Sequence, residues 1–259
     1  MQTILFHSTI FGPIHSRRLG TSLGVNLMPR DGKVCSFDCL YCEAGFNAQG
    51  RGHAGLPSRE EVRTLLRAKL SEMHAQGQTL DVITFSGNGE PTLHPDFEGV
   101  VEDTIALRDE FFPQAKVSVL SNSTMLHRPE VVRALRKVDN NILKLDSALD
   151  ATIRTIDRPN SPEFTAEKVI GQLGQFAGQA IIQTMMLRGS YQGQNIDNTV
   201  DAEVEALIEA YKRIRPREVM LYSIDRPTPA NQLAKVPIEE LRAIGRRIEE
   251  ATGIPVQVN

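Results

Sequence analysis

Six short runs of mostly apolar residues punctuate the chain, at 22–27, 80–86, 116–120, 142–145, 180–187 and 218–222. Each is brief and apolar enough to be a strand covered on both faces. Between them lie longer amphipathic stretches. The first, 58–73, opens with the capping spacing Ser58-x-x-Glu61 and carries Val62, Leu65, Leu66 and Leu70 at helical intervals. Helical patterns follow over 95–112, 129–138, 162–176, 202–214 and 237–252, with Pro129, Pro162 and Pro237 near helix starts, where proline is tolerated. A tail at 254–258 adds a last short strand, and the glycine-rich stretch 43–57 reads as a long loop.

Strands alternating with helices of this length pair in parallel through right-handed crossovers, so the fold class is α/β, either an open doubly wound sheet or a barrel. The pattern alone leaves those two open. No Pro/Gly/Ser-rich linker divides the chain and no strong self-similarity suggests a solenoid, so residues 1–259 read as one domain with an N-terminal extension of about twenty residues. In either parallel architecture ligands sit at the carboxyl ends of the strands, which directs the search for a site.

Composition narrows the classes. With 41% hydrophobic and 24% charged residues the 259-residue chain can bury a core, and its formal charge of −3 advertises neither nucleic acid nor an anionic membrane. There is no apolar run long enough to span a bilayer and no secretory leader pattern, so a soluble cytoplasmic protein with no membrane partner is expected. Aromatic content is 5% with no Trp, and no basic, aromatic-interleaved segment supports binding to nucleic acid.

All three cysteines fall within eight residues, Cys35-Ser-Phe-Asp-Cys39-Leu-Tyr-Cys42, directly after the first strand. An odd, tightly packed set is no disulfide framework. Ordinary buried thiols are one reading, and zinc completed by His53 or Glu43 is another. The favoured reading is an iron–sulfur cluster, for which thiolates are the normal ligands, held through three of its irons with one iron left open.

The spacing C-x-x-x-C-x-x-C, with Tyr41 before the last Cys and a six-unit α/β pattern around it, resembles the radical S-adenosylmethionine (radical SAM) superfamily. The resemblance implies a partial parallel (β/α)6 barrel and a [4Fe-4S] cluster on Cys35, Cys39 and Cys42. It further implies that the open iron takes the amino and carboxylate groups of S-adenosyl-L-methionine, and that reductive cleavage gives methionine and a 5′-deoxyadenosyl radical that abstracts hydrogen from a substrate. After the second strand, Ser86-Gly87-Asn88-Gly89-Glu90-Pro91 resembles the superfamily's Gly-Gly-Glu motif, which receives the methionyl ammonium; Asn88 departs from its simplest form. Two glycines let backbone come close and Glu90 supplies a matching charge. The resemblance extends cofactor contacts to Asn122, Asp146, Ser147 and Arg188 at later strand ends. Turn capping by Asn122 and Ser123, and pairing of Asp146 with Lys144 or Arg158, are the plainer alternatives.

The stretch from Phe11-Gly-Pro13 to Gly24-Val-Asn26, with Asp157-Arg158-Pro159 and Ile224-Asp225-Arg226-Pro227, resembles a narrower group called Fe–S oxidoreductases, related to the wyosine-base tRNA enzymes. No spare cysteines remain for a second cluster. Arg158 and Arg226 are candidates for an anionic substrate, as are Arg17 and Arg18, which otherwise form a solvated edge. The loop 45–55 is either a lid or plain surface, and of the scattered histidines His94 stands nearest the glycine motif. The expected partners are an unknown substrate and an electron donor such as flavodoxin or ferredoxin. A non-catalytic metal or redox-cluster module, and an activase acting on a partner protein, are the rival functions.

Overall fold

The computed structural model describes residues 4–16 and 20–259. Arg17 and Arg18 lie outside those residues. The element order is β1 (Ile10–Ser16), β2 (Gly20–Val25), α1 (Arg59–Ala75), β3 (Val82–Phe85), α2 (Phe97–Phe111), β4 (Lys116–Ser121), α3 (Pro129–Lys137), β5 (Asn140–Lys144), α4 (Asp150–Ile156), α5 (Ala166–Leu173), β6 (Ile181–Tyr191), β7 (Gln194–Asp197), α6 (Asp201–Ile214), β8 (Glu218–Ser223), β9 (Leu233–Lys235), α7 (Ile238–Thr252) and β10 (Val256–Val258). Strands pair in the order β1-β2-β3-β4-β5-β6-β8-β10, and every pairing from β2 to β10 is parallel. The parallel strands succeed one another in chain order, with no reversal of direction along the sheet. That settles what the pattern left open: a doubly wound sheet must reverse, whereas a barrel winds one way. The fold is a partial barrel whose described outer strands, β1 and β10, do not pair with each other.

Alternation along each strand explains why the runs look uniformly apolar. Leu23, Val25, Ile83, Phe85, Val117, Val119, Leu143, Ile182, Val219 and Leu221 belong to the core beneath the helices. Their neighbours Ser22, Gly24, Thr84, Leu120, Ile142, Gln183, Met185, Met220 and Tyr222 face the barrel interior. Both faces are covered, as a parallel sheet requires, but the inner face mixes hydroxyls and amides with Ile and Met.

Four departures from the sequence pattern have local causes. β1 pairs antiparallel with β2, and Phe11 lies flat against Gly24, where a Cβ would stand only 2.0 Å from its ring. The expected helix at 162–176 begins instead at Ala166, because Thr165 accepts the Lys168 N–H as N-cap, which leaves Pro162 in the preceding turn. α4 is only seven residues and carries too short a period to read. Finally, β6 runs on to Tyr191 and pairs β7 and β9 antiparallel, an extension that passes through Gly189 at φ 137°. Among the described residues no helix is long and apolar enough to cross a membrane.

One residue on the helix-facing side of β5 does not fit its surroundings. Asn141 is fully buried, and neither amide atom of its side chain has a hydrogen-bond partner. Orphaned buried amides cost about 1–3 kcal/mol, so Asn141→Leu, of similar volume, is expected to raise the denaturant midpoint without changing its slope. An unchanged or lower midpoint would count against that reading of the strand.

Candidate functional site

The Cys loop leaves β2 and crosses the carboxyl ends of the neighbouring strands, tied down on two sides. On one side Val34 bridges Gly89: Val34 N donates to Asn88 O at 2.9 Å and Glu90 N donates to Val34 O at 3.2 Å. The pairing is close enough that a Cβ on Gly89, at φ 141°, would stand 1.8 Å from Val34 O, and one on Gly87 would stand 2.4 Å from Asn26 Oδ1. Glycine is thus required at Gly89 by backbone approach, and at Gly87 by a φ of 147° and the Asn26 side chain packed against it. On the other side Leu40 N donates to Ile156 O, Asp38 N to Asp157 O and Asn160 N to Ser36 O, with Phe37 bridged to Pro159. The Asp157-Arg158-Pro159 piece is therefore a clasp for the loop. Arg158 reaches Asp38 at 3.4 Å and lies over the rings of Phe46 and Tyr191, whereas Arg226 lines the interior chamber.

This stitching gathers the expected residues into two groups. Around Cys35, Asn122 Nδ2 lies 3.6 Å from the sulfur and donates to Ser36 Oγ at 2.9 Å, while Asn122 N donates to Glu90 Oε2 at 2.6 Å. Glu90 Oε1 accepts from both the N–H and hydroxyl of Thr92. Burial raises the Glu90 carboxyl above its ordinary value despite these donors, and burial with the charge of Glu90 pushes the Cys35 thiol up to about 12. Around Cys39, Asp157 Oδ1 lies 3.6 Å from the sulfur and accepts from the Tyr41 hydroxyl at 3.0 Å; the same hydroxyl donates to Asp146. Lys144 Nζ stands 3.4 Å from Asp146 and donates to the Tyr222 hydroxyl at 2.7 Å. Burial and the neighbouring Asp146 hold Asp157 well above the usual carboxylate range, and burial with the same two carboxyls raises Tyr41. Burial opposes the Lys144 charge, but Asp146, Tyr222, Asp157 and Cys39 together outweigh it and hold the ammonium above its ordinary pKa.

Other expected residues have structural employment. Asn88 is spent on Phe6 and Pro29, bonding the N–H and carbonyl of the first and the carbonyl of the second. Ser147 accepts the Leu149 N–H and donates to Glu203, and Arg188 is committed to Asp197, Thr199 and Glu240. Pro91 opens a single buried turn at 91–93. His94 is buried and joins Pro57 O to the Asp96 N–H. The segment 45–55 is pinned to the chain before the cysteines: Gly52 N bonds Lys33 O, and the Asp31 carboxylate accepts from His53 N and Ala54 N. Sequence reasoning missed Lys33, whose side chain is 1% exposed and whose ammonium donates to Gly45 O at 2.8 Å and stands in the field of all three cysteines. Nothing in residue spacing marks a buried lysine.

The donor set suits a thiolate-held cluster. Cys35, Cys39 and Cys42 are all free, and Lys33 brings a buried positive charge to them. Among the described residues no three Cys, His, Asp or Glu side chains gather as ligands of one ion, and Glu43 is paired with Arg226 at 2.6 Å. Below the loop, a chamber of about 390 Å³ occupies the barrel interior, walled by Tyr41, Met185, Met220 and Tyr222, with Glu43 and Arg226 at its mouth.

Comparison with known proteins agrees with this geometry. The chain is 28% identical over 221 residues to a UPF0026 protein of Helicobacter pylori strain J99, covering 85% of this chain and 67% of that one. It is 27% identical over 253 residues to a Brachyspira hyodysenteriae protein named GTPase Obg, covering 96% of this chain but only 35% of its relative. Among solved structures, a radical SAM methyltransferase from Sphaerobacter thermophilus superposes with TM-score 0.65 at 19% identity over 92% of this chain and 65% of that one. TYW1 with a lysine-pyruvate adduct bound gives 0.57 at 14%, over 90% and 75%. These likenesses establish the fold, a partial barrel of the same type. The family model for the Radical SAM superfamily matches residues 31–170, more than half of the chain and the whole of the stitched loop and its anchors, so the protein belongs to the radical SAM superfamily.

Proposed function

We propose that this protein is an enzyme that reductively cleaves S-adenosyl-L-methionine and directs the resulting 5′-deoxyadenosyl radical at a hydrogen of a substrate in the barrel chamber. The observation that carries this reading is the Val34–Gly89 bridge, which lays a three-thiol loop beside a glycine-lined, carboxylate-bearing segment. When bound, a [4Fe-4S] cluster supplies one electron to the sulfonium, which departs as methionine. The chain's own residues hold, orient and exclude water. Cys35, Cys39 and Cys42 would hold the cluster, and Gly87, Gly89 and Glu90 would receive the methionyl ammonium. Asn122, whose side-chain amide lies between Cys35 and Ser36, would orient the remainder, with Asp146 acting through the Tyr41 hydroxyl whose hydrogen bond it accepts. The chamber walls of Met185, Met220, Leu120 and Ile142 would keep a reactive carbon radical away from bulk water.

The test is anaerobic iron–sulfur reconstitution, then dithionite reduction with S-adenosylmethionine and assay for 5′-deoxyadenosine. The wild type is expected to take up roughly four irons per chain and form 5′-deoxyadenosine, and a Cys35/Cys39/Cys42→Ala variant to do neither. Retention of one zinc with S-adenosylmethionine left intact would overturn the proposal in favour of a non-catalytic metal module.

A further inference from the structure

The interior chamber has a buried polar side chain that the fold leaves unused. Gln183 lies on β6, level with Lys144 of β5 and Met220 of β8, and faces the barrel interior. One inward layer deeper, Ile142 and Ile181 pair in register and form, with Met220 and Leu120, an apolar plug. One layer nearer the strand ends stand Met185 and Tyr222. Gln183 therefore sits at the floor of the chamber, directly above the plug.

Among the described residues, the other buried polar side chains of the wall are committed. Ser22 and Thr84 share a hydrogen bond of 2.9 Å, Ser223 donates to Met186 O and accepts from Val236 N, and Tyr41 donates to Asp146 and Asp157. Lys144, beside Gln183, spends its ammonium on Tyr222 and Asp146. Gln183 is 8% exposed, yet its amide has no hydrogen-bond partner among the described residues. It differs from Asn141, the orphaned amide of β5, in what it faces: Asn141 is sealed beneath the helices, whereas Gln183 opens on a chamber of about 390 Å³.

A glutamine amide offers an acceptor and two donors in one plane, and a ligand that displaces their water without replacing its hydrogen bonds binds weakly. The group that meets acceptor and donor together is another amide, with its own C=O and N–H on the same side. A carboxylate accepts but does not donate, so it meets only half. The ionised side chains of the wall, Glu43, Asp225 and Arg226, follow the ends of β2 and β8 and leave the floor without charge. The thioethers of Met185 and Met220, on the same wall, suit the flat face of a conjugated group.

We propose that the chamber receives a substrate bearing a neutral carboxamide or lactam edge, which pairs with Gln183 through two antiparallel N–H···O hydrogen bonds, and that Gln183 is the residue that selects it. The inference rests on the function proposed above, in which the chamber holds the substrate. Hydrocarbons and ionised acids of the same shape are disfavoured at the floor, because each leaves part of the amide unmet.

The experiment uses the reconstituted protein under anaerobic conditions and follows small probes by ligand-observed NMR titration. The probes are 2-pyridone, a ring lactam, N-methyl-2-pyridone, which lacks the N–H, and benzamide, an open amide. Wild type is expected to bind 2-pyridone about tenfold or more tightly than N-methyl-2-pyridone, and Q183L is expected to bring the two together. Benzamide is expected to weaken in Q183L by a similar factor, and its affinity relative to 2-pyridone tells whether the natural edge belongs to an open chain or a ring. The wild-type comparison of the two pyridones needs no variant, and circular dichroism checks that Q183L folds. Equal binding of the two pyridones by wild type, no detectable binding of 2-pyridone, or a preference that survives in Q183L would overturn the proposal. Failure of the proposed function is distinct: wild type would then form no 5′-deoxyadenosine under dithionite, whatever the probes do.

Discussion

Gly89→Ala is expected to lose the cluster and most of the order of the Cys loop while leaving the barrel folded. The added methyl would stand 1.8 Å from Val34 O and 2.6 Å from its carbonyl carbon, and both are backbone atoms that no rotamer change can move aside. A φ of 141° adds strain of its own for any residue with a Cβ. Overpacking and backbone strain each cost about 1–3 kcal/mol, so the Val34–Gly89 bridge is expected to break rather than absorb both. With it go the bonds that set Cys35 beside Glu90 and Asn122. Iron content after reconstitution should fall towards background, and amide exchange should quicken at Val34 and Glu90. Gly171→Ala in α5 is the matched control, since nothing lies within 4 Å of the added Cβ and alanine favours a helix. Full iron retention in the Gly89 variant would show that the bridge does not position the loop.

The second large effect is expected from Lys33→Met, which keeps the length of the side chain and removes its charge. Burial works against that charge, yet Cys42, Cys35, Cys39 and Asp38 outweigh it and hold the lysine above its ordinary pKa. The ammonium in turn offsets the negative charge gathered when three thiols ionise to bind metal. A unit charge within about 10 Å at an effective dielectric near 20 contributes roughly 1.7 kcal/mol, or about 70 mV for one electron. The cluster of the Met variant should therefore be harder to reduce, its midpoint potential displaced negatively by some such amount in an EPR-monitored titration. Circular dichroism and iron content separate this from a folding defect. An unmoved potential would reduce Lys33 to a tie for Gly45.

The parallel strands and the longer helices were legible because a parallel sheet buries both its faces, so each such strand prints a compact apolar run and each such helix a stripe. The Cys spacing and the Gly87–Pro91 segment were legible for a different reason: they are local, and their chemistry is written in consecutive residues. What escaped was non-local. Arg158 read either as a contact for an anionic substrate or as part of a proline-fixed turn, and only the bonds of Leu40 to Ile156 and Asp38 to Asp157 show the segment to be the clasp of the loop. Ser147 lies just past the end of β5, as expected, whereas Arg188 does not close its strand but lies within the extended β6; carboxylates on distant helices, Glu203 and Glu240, occupy their polar atoms. Asn88, in the midst of the glycine motif, serves the N-terminal segment and Pro29. Spacing tells which residues reach a strand end; it does not tell what else arrives there.

The two-sided anchoring of the Cys loop also has a consequence for how the protein is made. The cysteines are synthesised before either set of their supports: one lies about fifty residues later, at Asn88–Glu90, and the other more than a hundred later, at Ile156–Asn160. Until the segment near residue 160 has been synthesised and packed, the three thiols are on an untethered stretch with no fixed spacing. Metal insertion is therefore expected to wait until the segment near residue 160 has been made, and a nascent chain stalled before α4 would display its cysteines to oxidants and stray zinc with only one of the two sets of supports in place.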